Sequence, residues 1–223
     1  MNTEDRKSDL RIYEDVLQEL RWEMRITDTT NIGVAVDRGV VTLTGWVSSW
    51  AARTAACEAA HRVAGVRDVA DEMHVRIEGM NQRTDADIAR AARDALEWST
   101  IVPHERLHMT VARGVVTLEG VVESWAQHDE AGRAVGVLSG VSEIRNLITV
   151  DPPSVASSEV RGAIDEALER HATHAARHVQ IAVEGGVVTL TGRVPSWAER
   201  DAVIGAARGT KGVRRVDSQI AIG

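Results

Sequence analysis

The segment Gly-Val-Val-Thr-Leu-Thr-Gly occupies residues 39–45 and returns at 186–192; at 114–120 it stands again with glutamate in the sixth place. Taking Gly39, Gly114 and Gly186 as markers, the copies lie 75 and 72 residues apart. The agreement runs beyond the heptapeptide. Five residues after Gly45, Gly120 and Gly192 stand Trp50, Trp125 and Trp197, each preceded by serine, and fifteen residues further come Gly65, Gly140 and Gly212, each followed by valine. This period exceeds the roughly 20–50 residues of stacked repeats, and each copy is long enough to own a core. The pattern therefore predicts three tandem small domains over residues 1–78, 79–150 and 151–223.

Each copy reads as helix, strand, strand, helix, strand. Leu10, Tyr13, Leu17 and Leu20 recur at helical spacing, as do Ile88, Ala92, Ala95 and Leu96, and Val160, Ile164, Ala167 and Leu168. Ser8, Thr84 and Ser158 are expected to cap these helices. The alternation in IGVAVDRGVVTL predicts a β-hairpin turning at Asp37, Arg38 and Gly39, repeated in the other copies around Gly114 and Gly186. Val41 and Leu43 face one way and Thr42 and Thr44 the other, so one sheet face is buried. Gly45, Gly120 and Gly192 interrupt the strand where another backbone is expected to come close.

The second helix starts at the serine before each tryptophan. Ser196 with Glu199, and Ser124 with Gln127, have capping-box spacing; Ser49 lacks the reciprocal partner. Ala56, Ala59, Ala60 and Val63 then form a stripe of small residues that lets the helix lie close to the sheet, matched by Ala131, Ala134, Val135 and Leu138. The last strand buries Met73, Val75 and Ile77 in copy one. Short linkers at 79–85 and 151–158, the second stiffened by Pro152 and Pro153, keep the copies near neighbours.

A hairpin carrying GVVTLTG, a helix beginning SWAE and a Gly-Val turn leading into VDSQIAI together resemble the BON domain, named for bacterial OsmY and nodulation proteins. The resemblance spans nearly the whole chain in three copies. It implies an α+β fold of αββαβ units, two helices on a three-stranded mixed sheet, with Gly45, Gly120 and Gly192 at the family's glycine position. It also implies a non-enzymatic module without cofactor, associated with osmotic and envelope stress and with attachment to phospholipid surfaces or envelope proteins.

Candidate chemistry is sparse. His171, His174 and His178 could face one side of a helix and hold a metal, but the other copies have no equivalent, and the reading preferred is a solvated cluster with no metal. Cys57 aligns with Gly132 and Ile204 and reads as a partly buried small residue. No nucleophile, P-loop or dinucleotide motif occurs, and a net charge of −7 argues against general nucleic-acid binding. That charge is uneven: −4, −3 and 0 across the three copies. Arg208, Lys211, Arg214 and Arg215 in copy three are the candidate phosphate-facing residues. Trp50, Trp125 and Trp197 are expected to pack beside their helix caps, or else to anchor a membrane interface or partner. Trp22 and Trp98 correspond to each other, with Arg170 in copy three, and Trp46 is particular to copy one.

Without an apolar run of membrane length or an apolar leader in MNTEDRKSDL, the expected location is cytoplasmic, peripheral to a membrane at most. The sequence predicts a binding scaffold, and secondarily a small-ligand or ion sensor with its site between copies. It leaves the oligomeric state open.

Overall fold

The computed structural model describes residues 8–79, 82–170 and 179–222. Three units of one plan follow each other: α1 (Asp9–Trp22), β1 (Ile32–Asp37), β2 (Val40–Val47), α2 (Trp50–Arg62) and β3 (Asp68–Val75); α3 (Asp85–Trp98), β4 (Leu107–Ala112), β5 (Val115–Val122), α4 (Trp125–Gly136) and β6 (Glu143–Val150); α5 (Ser157–Arg170), β7 (Val179–Glu184), β8 (Val187–Val194), α6 (Trp197–Arg208) and β9 (Arg215–Ile222). Each sheet is mixed: the middle strand pairs antiparallel with the strand before it and parallel with the one after. Hairpin neighbours need only two residues between them, whereas the parallel pair needs the crossover that the second helix supplies.

The cores are copies of one another. Val41 and Leu43, Val116 and Leu118, and Val188 and Leu190 are fully buried, and Ile12, Ile88 and Val160 lie above them. In copy one the helix buries Ile12, Val16 and Leu20, so the expected stripe through Leu10, Tyr13 and Leu17 is out of register with the buried face; Leu10 is 68 % exposed. Ile12, Val16 and Leu20 align with Ile88, Ala92 and Leu96, so the repeat held information that one window's periodicity did not. The hairpin turns have two central residues with positive φ: Arg38 and Gly39, Arg113 and Gly114, Gly185 and Gly186. This is the backbone twist that two-residue hairpins favour. Gly45 and Gly120 sit at positive φ where a Cβ would collide with the carbonyl oxygens of Asn31 and Arg106. Glycine is obligatory there for two reasons, backbone conformation and space.

The caps divide. Ser49, Ser124 and Ser196 each accept the N–H three residues on, at 3.1, 3.3 and 3.3 Å. The reciprocal half of the box fails where it was expected. Gln127 accepts from Glu123 instead of Ser124, at 2.9 Å, and Glu199 Oε2 is buried with no hydrogen-bond partner. A full box forms at Thr84 with Asp87, whose carboxyl is held below its usual range by bonds from Thr84. Ser158 is not a cap: α5 starts one residue earlier, and Ala156 accepts from the Glu159 and Val160 N–H groups. Ala156 is the position that aligns with Ser8 and Thr84.

Candidate functional site

The three repeated tryptophans start α2, α4 and α6, and the serine caps fix their place on the first turn. Each is half-buried, and each reaches the neighbouring copy. Trp50 packs against the core of copy two, Trp125 against that of copy three, and Trp197 against that of copy one. The receiving residue is the same each time, eleven positions after that copy's own tryptophan: Gly136, Arg208 and His61. An added Cβ on Gly136 would come within 3.3 Å of Trp50 Cδ1. The Arg208 guanidinium lies 4.5 Å from the Trp125 ring centre. His61 stacks on Trp197 with centroids 4.1 Å apart.

A second group from the tryptophan's own helix, three residues on, lies against each ring. These are Arg53 at 5.5 Å from Trp50, His128 at 5.0 Å from Trp125, and Arg200 at 4.7 Å from Trp197. Cations and ring edges are attracted to indole faces, by about 0.5–1 kcal/mol at exposed sites. Three equivalent head-to-tail contacts that run from copy one to two, two to three and three to one close a pseudo-threefold ring. Two of the seams also carry a covalent linker; the seam between copies three and one is held by contact alone.

Buried polar atoms without partners gather at these seams: His61 Nε2, Trp125 Nε1, Trp197 Nε1 and Arg208 Nε. Burial pushes the His61 imidazole below its ordinary range, opposed by the nearby Asp201 and Asp68 carboxylates. Burial likewise drives the Cys57 thiol up to about 12, with Asp71 adding to the shift. A thiol so raised is protonated at neutral pH and is a poor nucleophile.

The basic residues of copy three have different partners. Arg208 belongs to the seam, Arg214 pairs with Asp151 at 2.8 Å and Arg215 with Asp217 at 2.6 Å, while Lys211 is exposed. His171, His174 and His178 lie outside the described residues. Among the described residues no group of three or more histidine, cysteine or carboxylate side chains is arranged to hold a metal ion. Trp46 lies against Arg76, at 5.4 Å.

Two of the remaining tryptophans stand on the surface. Trp22 is 77 % exposed and Trp98 86 % exposed, at equivalent ends of α1 and α3, with Met24 94 % exposed and Ile101 beside them in sequence. A groove of about 660 Å³ lined by Glu14, Leu17, Gln18 and Arg21 adjoins Trp22. No helix among the described residues is long and apolar enough to cross a membrane.

Residues 8–77, 84–152 and 156–223 each match the BON domain, and the chain belongs to this family. It is 36 % identical over 122 residues to the osmotically-inducible protein Y of Escherichia coli (strain K12), covering 53 % of this chain and 61 % of that protein, so it spans less than two thirds of this relative. It is also 36 % identical over 118 residues to an uncharacterized protein in the gshII 5′ region of Anaplasma centrale, across 49 % of this chain and 77 % of that one. Two solved structures of CdsD, a structural protein of the type III secretion system of Chlamydia trachomatis, align at 13 % identity. They cover 100 % and 94 % of this chain, and 100 % and 91 % of their own, with TM-scores of 0.26 and 0.28, too low to carry an argument.

Proposed function

We propose that the protein is a non-catalytic scaffold of osmotic or envelope stress that rests on a phospholipid surface. The observation that carries the reading is the pair of copy-equivalent tryptophans, Trp22 and Trp98, largely exposed together with Met24 and the half-exposed Ile101. Indole has an apolar body and a polar N–H, and the headgroup boundary of a bilayer satisfies both at once. BON membership and the name of the Escherichia coli relative support the stress association. The ring supports the scaffold reading, because copies held in fixed register add their weak surface contacts within one molecule.

The test is co-sedimentation with phosphatidylglycerol and phosphatidylcholine vesicles. The full chain is expected to pellet with vesicles, and a Trp22→Ser, Trp98→Ser variant to stay in the supernatant with unchanged thermal unfolding. Failure of the parent chain to pellet with either vesicle overturns the reading and makes the rim a surface for a protein partner. Arg208 is a poor target for such a test, since it supports Trp125.

A further inference from the structure

Copies one and two lock their hairpin turns with a carboxylate. Asp9 accepts from the Arg38 and Gly39 N–H groups at 2.8 and 2.9 Å, one oxygen to each. Asp85 repeats the geometry on Arg113 and Gly114, again at 2.8 and 2.9 Å, and these two bonds hold its carboxyl below the usual range. Copy three preserves the receiving backbone. Gly185 and Gly186 have φ 55° and 80°, against 49° and 80° in copy one and 54° and 76° in copy two. The Gly186 carbonyl accepts from Arg214 N–H at 2.8 Å, as Gly39 does from Arg67 and Gly114 from Ser142.

The carboxylate is what changes. The residue aligned with Asp9 and Asp85 is Ser157, and no described side chain accepts from the Gly185 and Gly186 N–H groups. A Cβ built on Gly185 meets nothing within 4 Å, so the turn is uncovered on that side. Neighbouring charge shifts in the same sense. The strand register places Arg215 opposite Val187, where copies one and two have Asp68 opposite Val40 and Glu143 opposite Val115. Lys211 replaces Ala64 and Ser139. Against this stand Gly185 in place of the turn arginines Arg38 and Arg113, Glu184 at the turn's edge, Asp151 on Arg214 and Asp217 on Arg215.

We infer that the copy-three turn is an oxyanion site, in which an external phosphate group accepts the two N–H bonds that Asp9 and Asp85 accept internally in the other copies. Two adjacent N–H groups in a left-handed turn form a concavity suited to anions. Loss of the internal acid together with gain of Lys211 and Arg215 suits a ligand that brings its own negative charge. The source of the oxyanion is either a lipid headgroup or a free phosphate, and the inference stands whether or not Trp22 and Trp98 contact a membrane.

The experiment is an amide NMR titration of the full chain with inorganic phosphate, with chloride at matched ionic strength as control. Saturable shifts are expected at Gly185 and Gly186, and none at the Arg38–Gly39 and Arg113–Gly114 turns. The Ser157→Asp variant, which gives copy three the acid its sisters have, is expected to bind at least about tenfold more weakly. Asp85→Ser is expected to create the response at Arg113 and Gly114. Unmoved Gly185 and Gly186 amides, shifts reproduced by chloride, or an undiminished response in Ser157→Asp overturn the inference. A second arm with phosphatidylglycerol vesicles assigns the source: Ser157→Asp weakens vesicle binding if the headgroup is the ligand and leaves it unchanged if free phosphate is. Trp22→Ser with Trp98→Ser leaves the inorganic phosphate response intact in either case.

Discussion

Copies one and three bury almost the same residues and present opposite outsides. Along the helix pair of copy one, Arg62 bonds Glu19 and Glu23, and Arg25 bonds Glu23 and Glu58. The equivalent groove between the helices of copy three, about 530 Å³, is lined by Ala163, Ala167, Gly205 and Gly209, and among its described lining residues only Lys211 is charged. Val41 with Leu43 and Val188 with Leu190, by contrast, are fully buried alike. The core answers to one packing requirement shared by every copy, while each exterior answers to its own surroundings. The repeat therefore conserves what folds each copy and leaves free what distinguishes it.

The comparison breaks first if the cores are not equivalent. Leu43→Ala and Leu190→Ala are expected to cost similar amounts, about 2–5 kcal/mol each. Denaturant unfolding of the two variants checks this, and a large inequality would mean that one copy leans on its neighbours for stability. Next comes the ring. Half-burial of an indole contributes on the order of 2 kcal/mol, so Trp197→Ala and Trp50→Ala lose comparable stability. They differ in shape: Trp197→Ala frees the seam that lacks a linker and should raise the radius of gyration in small-angle scattering, whereas Trp50→Ala leaves copies one and two tethered.

The copy-one charge network is a smaller term. Arg62→Ala is expected to cost about 1 kcal/mol or less, with the difference shrinking in high salt. Glu23 has its carboxyl lowered to about 2 by bonds from Arg25 and Arg62. A depressed carboxyl stabilises the fold above its unfolded value of about 4.5, and that contribution is lost as pH falls towards about 2. Thermal melts across this range should therefore flatten in Glu23→Gln, whereas the described residues lining the copy-three groove include no carboxylate. The smallest effect is at His61, whose lowered value in the fold means that the unfolded chain takes up the proton first. Stability is then full above about pH 6.5 and declines as pH drops into the depressed range, and His61→Gln should remove that slope.

Much of this was legible from the chain. Period-two alternation placed the hairpins, serine before tryptophan placed the helix starts, and Gly45 and Gly120 were marked as points of close approach. Errors arose where a local rule had more than one solution. Leu10 and Ile12 are both apolar, and only the sheet beneath decides which faces it. Ser157 and Ser158 are both capping types, yet the helix begins at the first of them. Glu199 has the spacing of a capping box, but its Oε2 is buried without a partner and does not accept from Ser196.

The sequence by itself determined the number of copies, the order of their elements and the positions that must be glycine, because each of these rests on interactions within a few residues or on a pattern written three times. Only the tertiary structure decided where Trp50, Trp125 and Trp197 go. Their partners Gly136, Arg208 and His61 are a glycine, an arginine and a histidine, sharing no side-chain chemistry, and lie in another copy. Nothing in the spacing within one copy signals such a contact. It follows from the relative placement of three packed bodies, a property of surfaces meeting in space and not of any segment of chain.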